Sequence, residues 1–153
     1  MTDYYTPFGE WNIGNGIIIN FSKQRCWEPT GAGYSFQNRS GMLLFALILA
    51  HYLKPDATLT KDEIDLLLWG NEDCLDIESR RNTTIKEARK QIGDTQREKD
   101  IMIIKNTYGK GYFIEEEPHL VGCDKENTRH IIEEQVDIKL IHGLLAIAEN
   151  RRR

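Results

Sequence analysis

In the stretch IESRRNTTIKEARKQI, residues 77–92, Arg80, Arg81, Lys86, Arg89 and Lys90 stand against only Glu78 and Glu87, a local charge of +3 in a chain whose net charge is −4. Asn82, Thr83 and Thr84 are interleaved with these cations. Long cations neutralise phosphate oxygens, and Arg, Asn and Thr meet donors and acceptors on base edges, so this mixture has the chemistry of a nucleic-acid reader. A second basic stretch follows in IIKNTYGKGYFI, residues 103–114, where Lys105 and Lys110 have no acid among them and Asn106, Tyr108 and Tyr112 add polar and aromatic groups. Glu115-Glu116-Glu117 comes at once after it, so charge is segregated along the chain rather than spread. The competing reading of residues 77–92 is a solvated helix with ordinary surface charge. The two are near even on charge alone, and the basic hairpin directly afterwards weighs toward DNA.

Other chemistries find less support. The four histidines are scattered, no glycine-rich phosphate loop follows a strand, and no nucleophile stands beside a base, so no enzyme activity and no cofactor are expected. Cys26, Cys74 and Cys123 are far apart and odd in number, with no CxxC pair, which argues against a disulfide framework. Cys123 with His119 and His130 makes at best a partial ligand set, since zinc takes four well-spaced donors, and no metal is expected.

The elements that position the basic residues follow from periodicity. FGEWNI and IIINF flank Asn15-Gly16, a strong hairpin signal because both residues tolerate positive φ. RCWEP and GYSFQ, separated by Pro29, Gly31 and Gly33, read as two further strands, which makes a small antiparallel sheet. SGMLLFALILAHYLK, from Ser40, is apolar almost all round and predicts a buried central helix ended by Pro55. Thr60-Lys61-Asp62-Glu63 is a capping box, with Leu59 and Ile64 placed as a hydrophobic staple, and opens a second helix through IDLLLW to Gly70. After a short loop, a third helix runs from about Ile77 to Ile92. Its apolar stripe is thin (Ile85, Ala88 and Ile92), and Gly93 stops it. DTQREKD reads as a polar connector, and the residue 103–114 hairpin closes the pattern. Sheet, three helices and hairpin, with a short loop between the last two helices, predict an α+β fold of winged helix-turn-helix kind.

With 153 residues, 40% of them hydrophobic and 29% charged, the chain has the composition of one globular domain plus an extension. The longest apolar run, Met42–Leu53, is too short to span a bilayer, and MTDYYTPFGE is not a signal peptide, so a cytoplasmic location is expected.

These pieces together resemble the OmpR/PhoB-type winged-helix DNA-binding domain of bacterial transcription regulators, and most closely its ToxR- and CadC-like branch, which lacks a receiver domain. FGEW is similar to the family's first strand. LTKDEIDLLLWG (59–70) is similar to its second helix, IKEARKQI (85–92) to its recognition helix, and IIKNTYGKGYFI to its wing, where Gly-x-Gly-Tyr is the most specific element. The resemblance implies a DNA-binding domain over residues 8–116 and a C-terminal extension over 117–153. It also implies double-stranded promoter DNA as the partner, with the recognition helix in the major groove and the wing on the backbone or minor groove. The contact set it implies is Arg80, Arg81, Thr83, Thr84, Lys86, Glu87, Arg89 and Lys90 on the helix, with Lys105, Asn106, Tyr108, Lys110 and Tyr112 on the wing. Residues 71–76 correspond to the loop that meets RNA polymerase in some members. The chain departs from the family pattern in four places. Arg81 stands where an apolar residue is usual, Ala88 replaces a Leu, Glu87 takes a position common for Arg or a small polar residue, and Tyr108 replaces a basic wing residue. In the C-terminal extension, residues 119–153, the stretch 129–153 reads as one amphipathic helix, with Leu140, Leu144 and Ile147 at i, i+4 and i+7, or begins as a strand in which Val136, Ile138 and Leu140 alternate. They would pack on the domain, join a second copy as a homodimer, or lead through Arg151-Arg152-Arg153 to a membrane partner. A winged-helix interaction module with weak or no DNA binding stands as the alternative.

Overall fold

In the computed structural model the described residues are 10–20, 23–31, 33–35, 38–54, 56–70 and 75–135. Asn15 and Gly16 both take positive φ, at 51° and 75°, and turn strand β1 (Glu10–Asn12) antiparallel onto β2 (Ile18–Asn20), with Trp11 opposite Ile19. β3 (Arg25–Trp27) and β4 (Gly33–Ser35) continue the meander as the sequence predicts. The central residue of each of the first three strands, Trp11, Ile19 and Cys26, is buried.

Helix α1 (Asn38–Leu53) is the centre of the molecule. Its all-round apolar sequence has a direct structural counterpart, for Leu43, Leu44, Leu47 and Ile48 are all fully buried. β5 (Leu59–Thr60) leads into α2 (Lys61–Trp69) through the expected capping box. The Glu63 N–H donates to Thr60 Oγ1 at 3.2 Å, and the Thr60 N–H donates to Glu63 Oε1 at 2.8 Å, so two otherwise orphaned amides are satisfied. Leu59 and Ile64, the staple pair, are both buried. α3 (Ile77–Gln91) closes at Ile92, and Gly93 follows at φ 79°. α1 packs against α2, α3 and β5.

The stretch read as a polar connector is not one. It forms two single 3-10 turns, Asp94–Gln96 and Lys99–Ile101, and Asp94 has no exposed surface. Its carboxylate accepts from the backbone N–H of Ile103 and of Ile104, each at 2.8 Å, and from Arg97 Nη1 at 2.9 Å. Arg97 in turn donates to the Ile92 carbonyl at the end of α3, at 2.6 Å, and pairs with Glu28 beyond β3 at 3.2 Å. Hydropathy ranks this segment as exposed because it scores side chains one at a time. A carboxylate that accepts three hydrogen bonds can be buried without the usual cost.

β6 (Ile104–Thr107) and β7 (Gly111–Ile114) form the expected hairpin, with Gly109 at φ 72° in its turn. β5 pairs with the far side of β7 and makes a second sheet of order β5-β7-β6, which also packs on α1. The two glycines of the hairpin therefore do different things. Gly109 supplies a left-handed turn residue, whereas Gly111 is small because β5 crosses it closely. A methyl group there would collide with the Leu59 carbonyl and lie 2.8 Å from Thr60 Cα.

After residue 117 the chain turns back to the first sheet. β8 (His119–Leu120) pairs antiparallel with β1, Leu120 opposite Trp11, and α4 (Lys125–Gln135) follows. Thr128 is fully buried; its Oγ1 accepts from the Leu120 N–H at 3.1 Å and donates to the Asp124 carbonyl at 2.8 Å. Ile132 joins the same core as α1. The C-terminal extension thus begins packed on the domain, one of the placements left open by the sequence, and its remainder, including Val136, Ile138 and Leu140, lies outside the described residues. The architecture is α+β, with two antiparallel sheets and, among the described residues, four α-helices, none of them long and apolar enough to cross a membrane.

The end of α1 ties these parts together. His51 Nε2–H donates to the Ile114 carbonyl, and the Tyr52 hydroxyl donates to the Pro118 carbonyl. Arg129 of α4 lies 5.7 Å from the Tyr52 ring centre and pairs with Glu117 at 2.8 Å. Burial lowers the His51 pKa from its usual 6.5; Glu117 opposes this and Lys125 adds to it. Burial pushes the Tyr52 pKa up, and Glu117 adds to that rise.

Two expectations follow. Asp94→Ala strips the partners from two buried amides and from Arg97, and costs about 3 kcal/mol in urea denaturation. His51 is easier to protonate unfolded than folded, so its contribution is complete above pH 6.5 and is lost as pH falls below that value. His51→Gln keeps an amide donor for Ile114 without titrating, so the urea midpoint of that variant falls less between pH 7.5 and 5.5 than that of the parent.

Candidate nucleic-acid interface

α3 has two sides of opposite character, set by the 3.6-residue period. Arg81, Thr84, Ile85 and Ala88 are buried on the inner side. Arg80, Asn82, Thr83, Lys86, Glu87 and Lys90 are exposed. Along the first turns, Ser79, Asn82, Thr83 and Lys86 line a shallow open groove. Among the described residues, no ion pair involves Arg80, Lys86, Glu87 or Lys90.

Two α3 members of the sequence-derived set face inward instead, and Tyr112 of the hairpin is buried as well. Arg81 is only 7% exposed, and its Nη1 pairs with Asp65 Oδ2 of α2 at 2.6 Å. The outer set was expected to include it, but it shares a face with Ile85 and Ala88, and Asp65 supplies the counter-charge that lets a guanidinium sit there. Thr84 is buried as well, its hydroxyl donating to the Arg80 carbonyl one turn back at 3.0 Å.

Arg89 is half-buried between helix and hairpin. Its Nη2 donates to the Ile104 carbonyl of β6 at 3.1 Å, and its guanidinium carbon lies 5.7 Å from the centre of the Tyr112 ring. Tyr112 itself is buried at 8% exposure. These two residues hold the hairpin onto α3. Lys105, expected among the DNA-facing residues, pairs with Glu115 just past the hairpin. Asn106, Tyr108 and Lys110 are exposed, and Tyr108 at the turn is fully so.

The outward groups therefore fall into two sets: Arg80, Asn82, Thr83, Lys86, Glu87 and Lys90 on α3, and Asn106, Tyr108 and Lys110 on the hairpin. Both can exchange water for phosphate oxygens or base edges with little loss of internal structure. Sequence reading missed Asp65, Asp94 and Arg97, which place these sets. The one local signal was the Gly93-Asp94 pair, since a short polar side chain just past a left-handed glycine readily turns onto nearby amides. Leu75 is exposed, and residues 71–74 of the expected polymerase loop lie outside the described residues. Among the described residues no group of three or more His, Cys, Asp or Glu side chains is placed to hold a metal, and Cys123, His119 and His130 do not form one.

The two sides of α3 predict two different responses to mutation. Arg81→Ala lowers stability by about 2 kcal/mol, whereas Lys86→Ala changes it by less than about 0.5 kcal/mol, as read from urea denaturation.

Comparison with known proteins finds no family model that matches this chain and no match among curated proteins.

Proposed function

We propose that this chain is a sequence-specific double-stranded DNA-binding regulator, a winged helix-turn-helix of OmpR/PhoB type with α3 as recognition helix and β6–β7 as wing. The observation that carries the reading is the outer side of α3. Arg80, Lys86 and Lys90, in no ion pair among the described residues, share it with the neutral hydrogen-bonding groups of Asn82 and Thr83. A helix about 10–12 Å across fits a major groove about 12 Å wide, so such a face can bring cations to both phosphate rims and amides and hydroxyls to the base edges.

The element order supports the same reading. A helix pair, then α3, then after two 3-10 turns a hairpin clamped to the end of α3 is compatible with the arrangement the resemblance implies. Arg81 supports it too, since it points into the core at a position that is apolar in the family. Within this reading Lys110 and Tyr108 at the hairpin turn meet the backbone or minor groove. Arg89 and Tyr112 act as positioning residues that fix the wing on the helix. Arg81 and Thr84 hold the helix from inside, and Lys105 is neutralised by Glu115. A promoter as the natural site, contact with RNA polymerase through residues 71–76, and pairing of copies through residues 119–153 belong to the same proposal.

The test is fluorescence anisotropy with the upstream region of its own coding sequence, across a salt series and against competitor duplex. Four phosphate contacts, from Arg80, Lys86, Lys90 and Lys110, give a slope of log K against log salt of about −3.6. Lys86→Ala with Lys90→Ala lowers the slope by about two units and leaves the thermal melting point unchanged. Salt-insensitive or absent binding by the folded protein would overturn the reading and favour an interaction module.

A further inference from the structure

Glu87 is out of place on a face built for a polyanion. It is the one carboxylate in the C-terminal half of α3, and it is exposed. Thr83 stands one turn before it, Lys90 three residues after, and Arg80 two turns before on nearly the same line of the helix. Lys90 at i+3 is within reach, yet among the described residues Glu87 makes no ion pair. The exposed carboxylate therefore stands, among the described residues, without an ion-pair partner, between cations that also have none there.

In the major groove a carboxylate has few acceptable neighbours. Phosphate oxygens repel it. Guanine presents O6 and N7 and thymine presents O4, all acceptors. Adenine offers its N6 amino group, but beside the N7 acceptor, which repels the second carboxylate oxygen. Cytosine alone offers an amino group, N4, with no acceptor next to it on the same edge. Lys86 and Lys90, on adjacent positions, can neutralise the phosphates nearest the carboxylate. We infer that Glu87 is a specificity-determining residue that selects cytosine at one position of the DNA site, an inference that rests on the DNA-binding reading above.

The experiment is affinity selection from a randomised duplex library, followed by sequencing, with the parent protein, Glu87→Gln and Glu87→Ala. Glu87 is exposed and, among the described residues, makes no ion pair, so both variants keep the parent's circular dichroism spectrum and melting point. Gln has the same length and can bond adenine N6 and N7 together. The parent is expected to enrich a motif with one invariant cytosine. Gln should change that column alone, to adenine, and Ala should leave it without preference. On a fixed duplex of the parent motif, replacing that cytosine with thymine should cost the parent about tenfold in affinity and the Ala variant nothing. If all three proteins enrich one and the same motif, the DNA-binding reading stands and the role of Glu87 is overturned. If none of the folded proteins enriches any motif, the DNA-binding reading falls and the inference falls with it.

Discussion

The carboxylate of Asp94 fixes where the hairpin leaves the helical part of the molecule. Two consecutive amides, those of Ile103 and Ile104, point at its two oxygens just as β6 begins, and Arg97 closes the group from the other side. Because Arg97 also meets the Ile92 carbonyl at the end of α3 and Glu28 past β3, one small polar cluster ties the end of a helix to the start of a strand and to the first sheet. Its strength comes from burial. In a low-dielectric setting each charge-assisted bond is strong only while every partner is present, so the cluster behaves as one unit rather than as separable contacts.

Around that unit the cations divide into two classes. Arg81, Arg97 and Lys54 each meet a carboxylate at a helix junction and are mostly covered, and their charges are spent inside the protein. Arg80, Lys86, Lys90 and Lys110 stand in water with no such partner among the described residues. A chain with a sequence pI near 5.6 can thus hold a basic face, because its acids neutralise the structural cations and gather elsewhere, as in Glu115-Glu116-Glu117. The inward class gives the helix its rigid placement. The outward class is free to act without disturbing it.

Those features that depend on near neighbours were legible in the sequence. Asn15-Gly16, the Thr60–Glu63 box, the all-apolar α1 and the Ile85, Ala88 and Ile92 stripe all rest on local periodicity or turn chemistry, and the structure follows them. The features that escaped depend on partners far along the chain. Nothing near Arg81 announces Asp65, sixteen positions away, and the Gly93-Asp94 pair hints that Asp94 turns onto nearby amides but not that those of Ile103 and Ile104 receive it in full burial. β5 has two residues and no pattern, and it is recognisable only through its pairing with β7. For the candidate interface this means that residue types were readable but their direction was not. A helix with polar residues all round its first turns does not say which cation turns inward until a counter-charge is placed.

The pairing of β1 with β8 has a consequence for how the chain is made. Residue 11 meets residue 120, so the first sheet gains its last strand only after nearly all of the described chain exists. The hairpin of β1 and β2 can form locally and early, but Trp11 keeps one strand edge open until Leu120 arrives. During synthesis on the ribosome that edge stays bare for several seconds at ordinary elongation rates, on the order of ten residues per second, while the helical part and the hairpin are already able to collapse. The β1–β8 seam can therefore close only late in synthesis, and the growing polypeptide has an open strand edge to mispair in that interval.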